Sequence, residues 1–124
     1  MRLAPRLLLI AVSTVLQAQV PQPSVRLLVQ SSPLAGFRYA EAARVWPRLR
    51  LGDELELSRE ADNPHDANAV RVAWQGHKLG YVPRAENAAL AWAMARGERV
   101  SARVSRLHTY RNGRRRLEFE VSIE

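Results

Sequence analysis

Between Leu57 and Val72 the chain reads LSREADNPHDANAVRV, and this polar stretch gathers side chains that could do chemistry. Asp62 and Asp66 are two nearby carboxylates, the kind of pair that general acid–base work uses. Nothing beside them supplies a nucleophile or identifies a substrate. The same residues suffice to build a turn, because Asn63-Pro64 sets an extended-to-turn transition and the side chains of Asp66 and Asn68 can bond to local amides. Turn architecture and ligand contact are therefore both open for Asn63, Asp66 and Asn68. His65, His77 and His108 are too scattered in sequence to hold a metal, and cysteine is absent. The chain also has neither a phosphate-cradling glycine loop nor a nucleophile-elbow serine. No catalysis, metal or cofactor is expected.

The charge balance points to a binding partner instead. Lys and Arg total 19 against 12 Asp and Glu, a formal net charge of +7, and Lys78 is the only lysine. An arginine excess of this kind favours a polyanionic partner, although it also follows from a GC-rich genome. Arg114-Arg115-Arg116 lies in a C-terminal stretch, 98–124, that carries seven arginines and four glutamates. The cluster suits phosphate neutralisation. It equally suits a hydrated hairpin tip that resists edge aggregation, and Glu118 and Glu120 in the same run favour that reading.

The elements that position these residues are mostly strands. At 124 residues and 47% hydrophobic, the chain can bury one core, which excludes a multidomain enzyme, a nucleotide-driven motor or a large channel. Residues 25–30 form a short β-type run, and 54–60 alternate with Leu55 and Leu57 on one face. Val70, Val72 and Trp74 alternate next, and Gln75-Gly76 turns the chain into 78–82 as a hairpin. Period-two patterns return at 99–110 and at Leu117, Phe119, Val121 and Ile123, with Asn112-Gly113 between them as a hairpin signal. The clearest helical segment is 83–96, rich in alanine and stopped by Gly97. Trp74 and Trp92 are expected in the core, and Trp46 is undecided. Five or six strands with one packed helix predict a mainly β fold, a small, partly open OB-like β-barrel.

The N-terminus reads as an address. Arg2 and Arg6 flank the apolar run 7–16, and Leu16-Gln17-Ala18 forms a small-residue cleavage site. The run is shorter than the ~20 residues of a membrane span. Val20-Pro21-Gln22-Pro23 follows as a linker. The expected organisation is a signal peptide at 1–18, a linker and first strand at 19–33, and one domain at 34–124. Export to a bacterial periplasm follows, or a cytoplasmic protein if translation starts further downstream.

Four ordered motifs carry a family resemblance. They are Gly36-Phe37-Arg38-Tyr39, Leu49-Arg50-Leu51-Gly52-Asp53, the 57–72 stretch, and Lys78-Leu79-Gly80-Tyr81-Val82-Pro83-Arg84. Together they resemble the HIRAN domain over about residues 34–107. The resemblance implies an OB-like barrel that binds DNA, capturing the 3′ end of a single strand by stacking its terminal bases and holding its terminal hydroxyl. It implies no enzymatic activity of the domain itself.

Residue by residue, the resemblance gives Arg38 a phosphate contact and Tyr39 a stacking surface. It gives Asp66 a 3′-hydroxyl to accept, since a carboxylate repels a continuing phosphate. Asn63 and Asn68 shape the turn, and Tyr81 and Arg84 extend the groove. His65 departs from the family pattern, standing where a tyrosine is usual and offering a smaller stacking face. Tyr39 and Tyr81 also fit as half-buried strand residues, and Arg38 and Arg84 as solvated charges. A second function class stands beside the first: an exported interaction domain that keeps the barrel and binds a protein or an envelope polyanion.

Overall fold

A computed structural model describes residues 2–5, 9–15, 27–37 and 40–124. The cleavage site, the proline-rich linker and the Arg38-Tyr39 pair lie outside the described residues. Residues 9–15 carry no helix or strand, and Leu9, Ile10, Val12 and Val15 are exposed.

Six strands build one sheet: β1 Leu27–Pro33, β2 Glu54–Arg59, β3 Val70–Trp74, β4 His77–Tyr81, β5 Val100–Thr109 and β6 Arg115–Ile123. Their order is β1-β6-β5-β2-β3-β4, with every neighbouring pair antiparallel. The expected mainly β class is what the chain adopts, and the sheet does not close into a continuous barrel. Its two edges meet at one bridge, where Ala35 and Tyr81 exchange N–H···O=C bonds of 2.9 Å each. Gly80 makes that approach possible, because a Cβ there would drive into the Ala35 carbonyl oxygen.

Both expected hairpins form. Gln75 and Gly76 have φ of 45° and 80°, the two-residue turn whose twist matches its strands. The second hairpin is looser than a two-residue Asn-Gly turn. The Gly113 N–H bonds to the Tyr110 carbonyl at 2.9 Å, the Tyr110 N–H bonds to that of Arg114 at 2.8 Å, and only Gly113 of the Asn-Gly pair takes positive φ.

Two helices pack on the sheet. Helix α2, Asn87–Ala95, follows a 3₁₀ turn at Arg84–Glu86 and lies within the expected 83–96. Its end is a Schellman cap: the Glu98 N–H reaches the Ala93 carbonyl and that of Gly97 reaches Met94, with Gly97 at φ 82°. Helix α1, Ala40–Val45, was not anticipated, since six residues cannot display a helical period. It sends Ala42 and Val45 into a core built around Val70, Val72, Leu79, Leu117 and Phe119.

The tryptophans divide. Trp74 is buried as expected, and Trp46 is half-buried with its ring 5.2 Å from that of Phe37. Trp92 contradicts the core expectation, being 58% exposed. Helix α2 buries Asn87, Leu90, Ala91 and Ala93, which places Trp92 on the opposite side.

Candidate nucleic-acid interface

The loop between β2 and β3 is a closed polar turn, because the Glu60 N–H bonds to the Ala69 carbonyl at 2.9 Å. Inside it the Asn63 Oδ1 accepts the His65 N–H and the Asp66 Oδ1 accepts the Asn68 N–H, each at 2.9 Å. Asn63 and Asp66 are thus the turn-forming side chains. Asn68 takes part through its backbone N–H, not through its side chain as expected.

This loop, the end of β4 and the start of α2 line an open surface cavity of about 330 Å³. Asn63, His65, Asp66, Tyr81 and Arg84 all line it, with Ala35 from across the bridge. Five of the eight sequence-derived site residues are therefore brought together. Asn68 does not line the cavity, and neither does Asp62, so the cavity brings no second aspartate to Asp66.

Asp66 is the best-held group of the site. Its Oδ2 accepts a 2.7 Å bond from the Asn87 carboxamide, and the Arg84 Nε lies 4.0 Å from the same oxygen. The Asn87 bond first, then the Asn68 N–H, hold its carboxyl below the usual carboxylate range against the opposing effect of desolvation, and Arg84 adds a lesser lowering. Arg84 is otherwise free in solvent, its side chain 80% exposed. At 4.0 Å it is a loose ion pair and remains available to a phosphate.

Tyr81 is half-buried, as the strand reading has it, and it also lines the cavity. Its hydroxyl donates to the Glu60 Oε1 at 2.9 Å and accepts from the Lys78 Nζ at 2.8 Å. The Lys78 ammonium also stands 4.6 Å from the ring centroid. These contacts fix the ring's attitude against the cavity.

Glu60 and Asn87 had no role in the sequence reading. Glu60 is the acidic residue that follows Arg59 in the family-like motif, and its signal was that position. Asn87 is the lone amide in an alanine-rich helix, on the face of Leu90 and Ala91, and that spacing could have exposed it.

The three histidines stay apart, as their spacing suggested: His65 at the cavity, His77 against Glu41 at 3.0 Å, and His108 edge-on to Tyr110 at 4.5 Å. Arg114, Arg115 and Arg116 of the β5–β6 hairpin line a second hollow of about 420 Å³ with Tyr110, Pro33 and Leu34. Arg116 pairs with Glu118 at 3.0 Å, and the Arg115 guanidinium lies 5.7 Å from the Trp46 ring.

Comparison with solved structures finds a protein from Lactobacillus plantarum, 29% identical with a TM-score of 0.70, covering 80% of this chain and 95% of that one. The HIRAN domain of human HLTF superposes with a TM-score of 0.61 at 20% identity, covering 79% of this chain and 74% of that one. No curated protein matches. The model of the HIRAN domain matches residues 27–124, a span that takes in β1 and the C-terminal hairpin beyond the motifs read from sequence. A chain matched over that length belongs to the HIRAN family, whose domain is a nucleic-acid-binding module rather than a catalytic one.

Proposed function

We propose that this protein binds single-stranded DNA and captures its 3′ end in the cavity between the 60–69 loop and β4. The observation that carries the reading is the ionised Asp66 at the wall of a hollow of nucleotide size, beside Tyr81 and Arg84. A 3′-hydroxyl donates to the carboxylate, whereas a continuing phosphate brings like charge against it. The terminal base stacks on Tyr81, with His65 and Tyr39 as further surfaces, each stacked base contributing ~1–3 kcal/mol. Arg84 and Arg38 neutralise the phosphates just upstream.

Fluorescence anisotropy with one short strand ending in a 3′-hydroxyl or a 3′-phosphate tests this. The hydroxyl form binds more tightly by roughly tenfold or more, the equivalent of one charge-assisted hydrogen bond. Asp66→Asn is the better probe than Asp66→Ala, because an amide oxygen preserves the bond from the Asn68 N–H while the charge is lost. It removes most of the preference. Equal binding of both strands by the wild-type protein refutes end capture. That result leaves the interaction domain with a protein or envelope polyanion as its partner, a reading favoured by the arginine-flanked apolar run at 7–16.

A further inference from the structure

We propose that Asn87 is a positioning residue for 3′-end recognition, its buried carboxamide locking Asp66 in the orientation that a terminal hydroxyl meets. The inference rests on the end-capture reading. Asn87 opens helix α2 and is 3% exposed, yet it lines the same cavity as Asp66. Its Nδ2 donates to the Asp66 Oδ2 at 2.7 Å while the Asn68 N–H donates to Oδ1 at 2.9 Å. Donors from two separate elements thus hold the two oxygens, and the carboxylate cannot turn about its own axis without breaking one bond. An ionised carboxyl has about four acceptor positions, so roughly two remain for a ligand.

Helix stability alone does not call for asparagine here. The residue is a poorer helix former than alanine, and burying an amide costs free energy unless a partner satisfies it. Its neighbours on the buried face, Leu90 and Ala91, are apolar. The amide at 87 is accounted for by its partner Asp66. The helix start is itself pinned from the other side, where the buried Ser32 hydroxyl of β1 donates to the Glu86 carboxylate and accepts from the Gln30 amide. A continuous set of bonds therefore runs from β1 through the 3₁₀ turn to α2 and the loop carboxylate.

The test compares the binding ratio of 3′-hydroxyl to 3′-phosphate single strands in the wild type, Asn87→Ala and Asn87→Ser, with Asp66 titrated by carboxyl carbon NMR. Positioning predicts that Asn87→Ala lowers the ratio by about fivefold or more, on the scale of one lost hydrogen bond to a charged group. It also predicts that Asp66 titrates at higher pH in that variant, and that serine, which keeps a donor, recovers part of both. A merely structural role would weaken both strands together and leave the ratio intact, and that result overturns the proposal. Should Asn87→Ala not fold, Asn87→Ser carries the test: its shorter donor lowers the ratio below the wild-type value, and an unchanged ratio with both strands weakened together overturns the proposal. A wild type that shows no preference removes the end-capture reading, and the positioning role with it, before any variant is compared.

Discussion

Replacing Gly80 by alanine tests the joint between fold and site. Gly80 needs no unusual backbone; it is small because the Ala35 carbonyl oxygen occupies the place of its Cβ. The added methyl forces Ala35 away from β4, breaking both 2.9 Å bonds of the Ala35–Tyr81 bridge. Each bond contributes about 1 kcal/mol net, and overpacking against the Leu34 side chain adds to the loss, so ~2–3 kcal/mol is expected. For a domain of this size that lowers Tm by roughly 10–20 °C. Thermal melts give the Tm shift, and urea melts followed by tryptophan fluorescence give the free-energy loss. Gly76→Ala is the control: at φ 80° with open space around it, the cost is left-handed strain alone, ~1 kcal/mol. Because Ala35 and Tyr81, joined by that bridge, both line the cavity, DNA affinity falls with Gly80→Ala and not with Gly76→Ala. A Gly80→Ala protein as stable as Gly76→Ala would refute the steric argument.

DNA affinity falls steeply with salt, each neutralised phosphate on a single strand adding about −0.7 to the log–log slope; a flat dependence points to a protein partner. Tyr81→Phe removes the hydroxyl shared by Glu60 and Lys78 while leaving the ring, so stability drops by ~1–2 kcal/mol and stacking survives; an unchanged urea midpoint contradicts the role assigned to that hydroxyl. The lowered carboxyl of Asp66 has a pH signature. Its stabilising effect is complete above the ordinary value of 3.8 and is lost as pH falls through the lower folded value, so the stability gap between wild type and Asp66→Asn is level at neutral pH and narrows only below 3.8. N-terminal sequencing of the protein from a periplasmic fraction finds a mature chain beginning near Gln19; a cytoplasmic chain still starting at Met1 rejects the signal peptide.

What the sequence made legible followed local chemistry. Gln75-Gly76 and Asn112-Gly113 announced both hairpins, and the alternation of Val70 and Val72 or of Leu117, Phe119 and Val121 marked the core face of each strand. Helix α1 was hidden because its six residues are placed by packing of Ala42 and Val45, a tertiary cause with no local period. Trp92 was misplaced for a related reason. When alanines occupy five of the nine positions of a helix and spread over every side, hydrophobicity is similar all round, and the buried face is chosen by neighbours such as Leu90 rather than by the largest side chain. The motifs named five residues that line one cavity, Asn63, His65, Asp66, Tyr81 and Arg84, and passed over Glu60 and Asn87. Those two bond to Tyr81 and Asp66, and such pairings join residues 21 positions apart in sequence.

The loop shows that the two readings the sequence left open for Asp66 are compatible. Turn architecture and ligand contact were alternatives for Asp66 only while its partners were unknown. The carboxylate uses one oxygen to close the turn on Asn68 and the other to meet Asn87, and each oxygen keeps acceptor capacity after doing so. The same bonds that build the turn hold the group ionised, which is the state that accepts a hydroxyl and repels a phosphate. A free surface aspartate would offer the same charge but would lose rotamer entropy on binding, whereas Asp66 has already lost it on folding. On the proposed end-capture reading, the structural role preorganises the binding role, and a variant that spares the turn while removing the charge separates them.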